Sequence, residues 1–222
     1  MADTPDTEKP ELTPANENPW YCLMTLHGEQ PEGAHWWDFD RNLHAKNRRD
    51  WNKWAARALT EEQRQTLLKA KDSYGRPRFA AEELTRHSNA VWTELAAAFR
   101  ARAQGGIVDV PAPDQTINLS HTEFARPVIL AGFLFPTAFD LSGATFSGDA
   151  SLSGATFSEQ ADLRGATFSE GAALFGAAFS EKAALSGAAF SGNATLSHAT
   201  FSGYADLSGA IFSQNAYLSG AI

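Results

Sequence analysis

Leucine stands at every eleventh residue for a hundred residues without a miss: Leu119, Leu130, Leu141, Leu152, Leu163, Leu174, Leu185, Leu196, Leu207 and Leu218. A phenylalanine follows each of the first nine leucines by five residues, from Phe124 through Phe168 to Phe212. A short repeat held in fixed phase identifies a stacked solenoid, because each unit is too small to bury its own apolar face and needs a neighbour to do so. That rhythm outweighs any local propensity in the C-terminal half of the chain.

One complete unit reads Ala161-Asp162-Leu163-Arg164-Gly165-Ala166-Thr167-Phe168-Ser169-Glu170-Gly171. Alternation with a period of two places Ala161 and Leu163, and then Ala166 and Phe168, on one side of short extended segments, with Asp162 and Thr167 on the other. The first set is expected to point inward and the second outward. Serine, glycine and the variable pair after each phenylalanine supply the corners. Burying a Leu or Phe side chain is worth about 1.5–3 kcal/mol, whereas ordering the backbone costs about 1–2 kcal/mol per residue, so an isolated unit is predicted not to fold.

The segments Ala161-Asp162-Leu163-Arg164-Gly165 and Ala205-Asp206-Leu207-Ser208-Gly209 resemble the pentapeptide-repeat family, whose unit is alanine, Asp or Asn, a central Leu or Phe, and two variable residues. The resemblance runs from Ile117 to Ile222 in a five-plus-six-residue variant, since every second unit carries a sixth residue, as in Phe157-Ser158-Glu159-Gln160-Ala161. It implies a mainly β fold, a right-handed quadrilateral β-helix with Leu and Phe filling the interior. A four-faced coil would then take about 22 residues; a flat two-sided coil of about 11 residues satisfies the phase equally well. The aspartates before leucines, Asp140, Asp162 and Asp206, fall in alternate units, with Asn118 and Ala184 completing the set. That favours the four-faced form, in which they line one face.

The chain ahead of the repeats divides by composition. Residues 1–18 are acidic and proline-rich and are expected to form a disordered tail. Residues 19–106 hold all six tryptophans and are expected to form a small α-helical domain. Within it, apolar spacing predicts a helix from Arg41 to Ala58, and Thr60-Glu61-Glu62-Gln63 is a capping box opening a helix to about Lys71. A third helix is expected from Phe79 to Arg102, with a break near His87-Ser88 and a stop at Gly105-Gly106. Residues 107–116 read as a linker and the start of the solenoid, which occupies 117–222. The first repeat units replace alanine by Ile117, Thr122, Val128, Phe133 and Phe139, a broader apolar platform on which the tryptophans are expected to pack. At the other end Ala221-Ile222 stops one position before the next in-phase phenylalanine. This predicts either continuation in a longer protein or self-association through an open coil, with outward Ile211 and Tyr217 suited to such a contact.

The chemistry expected of such a chain is recognition, with no enzymatic activity, no cofactor and no metal. The formal charge of -8 argues against direct nucleic-acid binding. The single Cys22 cannot form an internal disulfide, and neither a secretory signal nor a membrane span is read from the sequence, so a cytoplasmic protein is expected. The chain as a whole is read as a bacterial repeat protein. The histidines lack ligand spacing, and His121 and His198 occupy the corner slot usually held by glycine. The basic stretch Arg41, Lys46, Arg48, Arg49, Lys53 and Arg57 reads as a solvated helix face. The expected function is a rigid scaffold or protein-interaction surface whose protein partner is unknown. The candidate contact residues are Asp140, Asp162, Asp206, Ile211 and Tyr217. Because some pentapeptide-repeat proteins are understood as DNA mimics, the resemblance implies an alternative, modulation of a type II topoisomerase such as gyrase through an acidic face.

Overall fold

The computed structural model describes residues 11–103 and 109–222. From Ile117 onward the chain winds into a parallel β-solenoid whose rungs are two or three residues long. Each rung pairs in register with the rung 22 residues later: Ile117 with Phe139, Thr145 with Thr167, Ala150 with Ala172, and Thr156 with Ala178. The coil is therefore four-faced, and the two-sided alternative is excluded.

The four ladders can be numbered around the coil. The first carries Ile117–Asn118, Phe139–Asp140, Ala161–Asp162, Ala183–Ala184 and Ala205–Asp206. The second runs from Thr122–Phe124 to Ile211–Phe212, the third from Val128–Ile129 to Ala216–Tyr217, and the fourth from Leu134–Phe135 to Thr200–Phe201. Corners with the extra residue lie between the second and third faces and between the fourth and first. The widening is thus shared by diagonally opposite corners, which keeps the four ladders aligned.

Inward alanine, leucine and phenylalanine form a dry interior, with Leu163, Phe168, Leu174 and Phe179 fully buried. The phenylalanines make two columns. Phe124, Phe146, Phe168, Phe190 and Phe212 stack with ring centroids 4.5–4.8 Å apart, and Phe135, Phe157, Phe179 and Phe201 stack at 4.6–4.9 Å. These distances are set by the rung spacing, so like residues must fall on like residues, which is why the sequence tolerates no slip in phase. At the corners, His121 and His198 adopt φ of 49° and 58° where other units place glycine. Each ring lies over the glycine one coil on: a side chain at Gly143 would stand 2.6 Å from His121, and one at Gly220 2.8 Å from His198.

Five α-helices precede the solenoid among the described residues: α1 Pro19–Met24, α2 Arg41–Ala55, α3 Glu61–Lys69, α4 Ala81–Leu84 and α5 Asn89–Arg102. The capping box is present, with the Thr60 hydroxyl accepting from Gln63 N–H and the Gln63 amide oxygen accepting from Thr60 N–H. Several boundaries differ from the sequence reading. The helix expected to reach Ala58 closes at Ala55 in a 3-10 turn, Ala56–Ala58. The one expected to Lys71 ends at Lys69, because Lys71 turns to pair with Pro77. The helix expected from Phe79 starts at Ala81, and the break expected near His87-Ser88 is present as Thr85–Ser88, where the Glu82 carbonyl accepts from both Thr85 Oγ1 and His87 Nε2. The expected stop at Gly105-Gly106 lies outside the described residues. α1 was not foreseen: Asn18 caps it, accepting from Trp20 N–H, and Pro19 opens it.

The tail expected over 1–18 also needs correction for the part that is described. Thr13–Pro14 form strand β1, which pairs in parallel with Thr122–Glu123, and Ala15–Glu17 form a 3-10 turn leading into α1. Composition gave no sign of this, because the stabilisation comes from the unpaired edge of the first coil, with Thr13 N–H donating to the His121 carbonyl at 2.8 Å.

Candidate interaction surface

The helical domain closes the N-terminal end of the solenoid by supplying partners to its open backbone. β1 pairs with the end rung of the second ladder. Asn18 donates from Nδ2 to the Asn118 carbonyl and the buried Thr122 hydroxyl, both at 3.1 Å. On the fourth face Asn52, fully buried on α2, accepts from Leu134 N–H at 2.9 Å and donates to the Gly132 carbonyl, while Trp51 Nε1 donates to the Leu134 carbonyl at 2.8 Å. Trp51 also lies over Phe133 and Phe135, on the enlarged platform anticipated from the sequence. An apolar end layer with unsatisfied edge groups is thereby converted into a buried, hydrogen-bonded junction.

The domain then reaches down one side. At the corner between second and third faces, Asp149 accepts from His35 Nδ1 and Trp36 N–H through Oδ2 and from Gly171 N–H through Oδ1, tying the domain to two successive coils. At the corner between third and fourth faces, His44 and Arg48 donate to the carbonyls of Ala131 and Gly132. Lower on that corner Arg78 donates to those of Gly154 and Gly176, and Tyr74 stacks on Phe175. Between these contacts the outward residues Ile129, Ser151 and Ala173 of the third face are buried. Among the described residues the first and second faces receive no such hydrogen bonds or ring contacts from the helical domain below the first coil, although Asp162 and Ala184 on the first face are themselves buried, so two adjoining faces are left unengaged by the domain and two are partly occupied.

On the first face the structure brings Asn118, Asp140, Asp162, Ala184 and Asp206 into a single ladder, rung upon rung. Their side chains are not idle. Each polar member accepts from the N–H two residues on: Ser120, Ser142, Arg164 and Ser208 donate at 2.8–3.0 Å. This fixes the next corner in the manner of an Asx turn. Asp162 is also gripped by its own neighbour, Arg164 Nε lying 2.9 Å from both carboxylate oxygens and Nη2 2.6 Å from Oδ2. Burial pushes the Asp162 carboxyl up, but the Arg164 guanidinium and backbone N–H outweigh it and hold the group below the usual carboxylate range. The Ser208 hydroxyl and N–H hold Asp206 low in the same way. Lys182 acts on both carboxylates through space, so two cations sit beside the three aspartates.

Ile211 and Tyr217 are 60% and 51% exposed, but they occupy different faces, Ile211 on the second and Tyr217 on the third. The five candidate residues therefore form an aspartate ladder and two separate apolar positions on the last coil. Sequence reasoning missed Asn52, Asp149 and Arg78, the residues that join the two halves. Asp149 had one available signal: it replaces a corner residue immediately before an inward alanine, where its carboxylate can reach the backbone one coil on. Asn52 and Arg78 had none, since their partners on the solenoid are carbonyls and an N–H brought near only by the fold.

Among the described residues no three His, Cys, Asp or Glu side chains converge in a way that could hold a metal ion, and no helix is long and apolar enough to cross a membrane. No curated protein and no solved structure matches the chain. A family model described as pentapeptide repeats, in nine copies, matches residues 119–178 and 174–222. Those are the residues that build the four-faced coil, so residues 119–222 are a pentapeptide-repeat solenoid.

Proposed function

We propose that the protein is a non-enzymatic scaffold whose unengaged first and second faces bind a protein partner. One observation carries the reading: the helical domain engages the N-terminal end and the third and fourth sides, while among the described residues it makes no hydrogen bond below the first coil to the adjoining ladders that begin at Asn118 and Glu123. Outward Thr145, Thr167 and Ala189 on the second face are short and in register, giving a flat surface whose ordering cost was met on folding. Such a surface recognises by shape and a few polar contacts. The test is capture of partners from cell lysate by the wild type and by a Thr145→Arg/Thr167→Arg variant. The same bound protein should be lost from the variant and retained by a control with Lys69→Glu on α3. Retention of every bound protein by the face variant would overturn the assignment.

The alternative, an acidic mimic of DNA acting on gyrase, has its aspartates on one face as required, but geometry weakens it. The carboxylates are engaged by their own corners, Arg164 covers Asp162, and Ala184 interrupts the ladder. Across residues 117–222 there are eight acidic and three basic side chains, a modest excess for imitating a phosphate backbone. Gyrase supercoiling with the wild type and with an Asp140→Asn/Asp162→Asn/Asp206→Asn variant separates the readings. The scaffold reading predicts no inhibition by either; inhibition by the wild type that the variant lacks would favour mimicry.

A further inference from the structure

A pocket of about 310 Å³ in the helical domain, away from the solenoid faces, is walled by Lys53, Arg57, Arg64, Arg86, His87 and Trp92. No carboxylate lines it, and among the described residues Lys53, Arg57, Arg64 and Arg86 form no ion pair. A larger pocket on the other flank of α2 makes a useful contrast, because its cations Lys46, Arg48 and Arg49 share the wall with Glu82 and Glu83, and Arg48 is paired with Glu83. Only the smaller pocket concentrates positive charge without internal compensation.

Arg64 shows that this arrangement is built rather than a loose cluster of surface cations. Its side chain is 6% exposed, with Nη1 and Nη2 donating to the carbonyls of Leu84 and Ala56, while Nε is buried and has no partner. Burying a guanidinium against other cations costs free energy unless an anion repays it. Its burial and the nearby Arg86 both depress the Arg64 guanidinium; Glu61 opposes this through space from outside the pocket wall. Arg57 lies over the Trp92 ring at 4.7 Å, and His87 meets the same ring edge-on, so two further donors are held by an aromatic anchor at the rim. Planar guanidinium forks matched to oxygen triads select phosphoryl groups over smaller monovalent anions.

We propose that this pocket binds a small phosphorylated molecule, its phosphoryl oxygens received by Arg57, Arg86 and Lys53, with the buried and incompletely paired guanidinium of Arg64 adding its charge from behind the wall. Its volume is at the lower end of the range for small-molecule sites, about 300–1,000 Å³, which fits a phosphate or diphosphate carrying a compact organic group. The site is independent of the protein-binding faces. The test is isothermal titration calorimetry of the full chain with inorganic pyrophosphate as the probe and sulfate as the competing anion. The expected result is saturable one-to-one binding with a Kd of roughly 10–100 µM, tighter than sulfate, weakened at least about tenfold by Arg57→Gln or Arg86→Gln and unchanged by Arg49→Gln in the other pocket. Arg57 and Arg86 are exposed, so their variants should melt as the wild type does and the loss can be read as binding. Absence of saturable heat up to about 10 mM pyrophosphate, equal affinity for sulfate, or binding that survives both substitutions would overturn the proposal.

Discussion

Replacing Asn52 by leucine tests whether the helical domain is a cap or merely a neighbour. The side chain is fully buried, accepts from Leu134 N–H at 2.9 Å, and donates to the Gly132 carbonyl and to Glu83 Oε1, both at 3.2 Å. Leucine keeps the branched heavy-atom skeleton, so no cavity forms, and because its methyl groups are bulkier the loss of the hydrogen bonds sets the lower bound of the effect. Gly132 O keeps the Arg48 Nε bond, and Glu83 keeps Arg48 Nη2. The group left alone is Leu134 N–H on the top rung of the fourth face. An orphaned buried donor costs about 1–3 kcal/mol, and loss of the Glu83 contact adds about 0.5–1.5 kcal/mol, giving about 2–4 kcal/mol in all. At roughly 2–4 °C per kcal/mol for a chain of this size, Tm should fall by roughly 5–15 °C. Thermal melts followed by circular dichroism measure the shift, and hydrogen exchange should show the Leu134 amide opening ahead of the lower rungs. Asn193→Leu is the control, because its bonds to Asn215 are exposed, and it should change stability by less than about 0.5 kcal/mol. An Asn52→Leu protein within about 0.5 kcal/mol of wild type would refute the capping argument.

Three further outcomes are expected. Burial lowers the His44 pKa from 6.5 to about 4, with Arg48 adding to the effect and the bond to the Ala131 carbonyl opposing it. The unfolded chain therefore takes up a proton that the folded one refuses. His44's contribution is complete above pH about 6.5 and falls by about 3 kcal/mol as pH drops to about 4, so urea titrations should show a slope in this window that His44→Gln flattens. Gly192→Ala should destabilise by about 3 kcal/mol, since its Cβ would stand 2.4 Å from the Glu170 carbonyl oxygen in the rung above. Gly187→Ala, with φ of +68° and open space around it, should cost only about 1–2 kcal/mol; equal losses in denaturant titrations would contradict the close-approach argument. Phe168→Ala removes a ring stacked at 4.7 and 4.8 Å between Phe146 and Phe190 and should cost about 3–5 kcal/mol by the same measurement.

The solenoid was readable because its determinants are periodic. Leu119 to Leu218 and Phe124 to Phe212 report an interior in which identical residues must stack, and the alternate-unit phase of Asp140, Asp162 and Asp206 pointed to the coil length. Of the two short-range signals in the helical domain, the Thr60–Gln63 capping box is present, whereas the Trp-rich core is only half realised: Trp20, Trp51 and Trp54 are buried, Trp36 and Trp92 are partly exposed and Trp37 is largely exposed. What was illegible depends on partners brought together only by folding. β1 exists because the second face offers an edge to Thr13–Pro14, and Asp149 matters because Gly171 arrives one coil later. The aspartate ladder was placed on its face correctly, yet its carboxylates prove to be shared with the corners, which alternation alone does not reveal. The cationic pocket escaped notice because Arg64 and Arg86 join Lys53 and Arg57 from different elements.

Each hendecad is half of a four-faced coil, and paired cysteines test this directly. Thr167 and Ala189 sit in register on adjacent rungs of the second face, whereas Ala178, which follows Thr167 by half that separation, lies on the fourth. Adjacent rungs are ~4.8 Å apart, within the ~4.4–6.8 Å that a disulfide spans, and faces across the coil are ~10 Å apart. Under mild oxidation, Thr167→Cys/Ala189→Cys should cross-link within one chain and Thr167→Cys/Ala178→Cys should not, as read by mass spectrometry of proteolytic fragments. Cross-linking of the second pair in place of the first would contradict the four-faced stack.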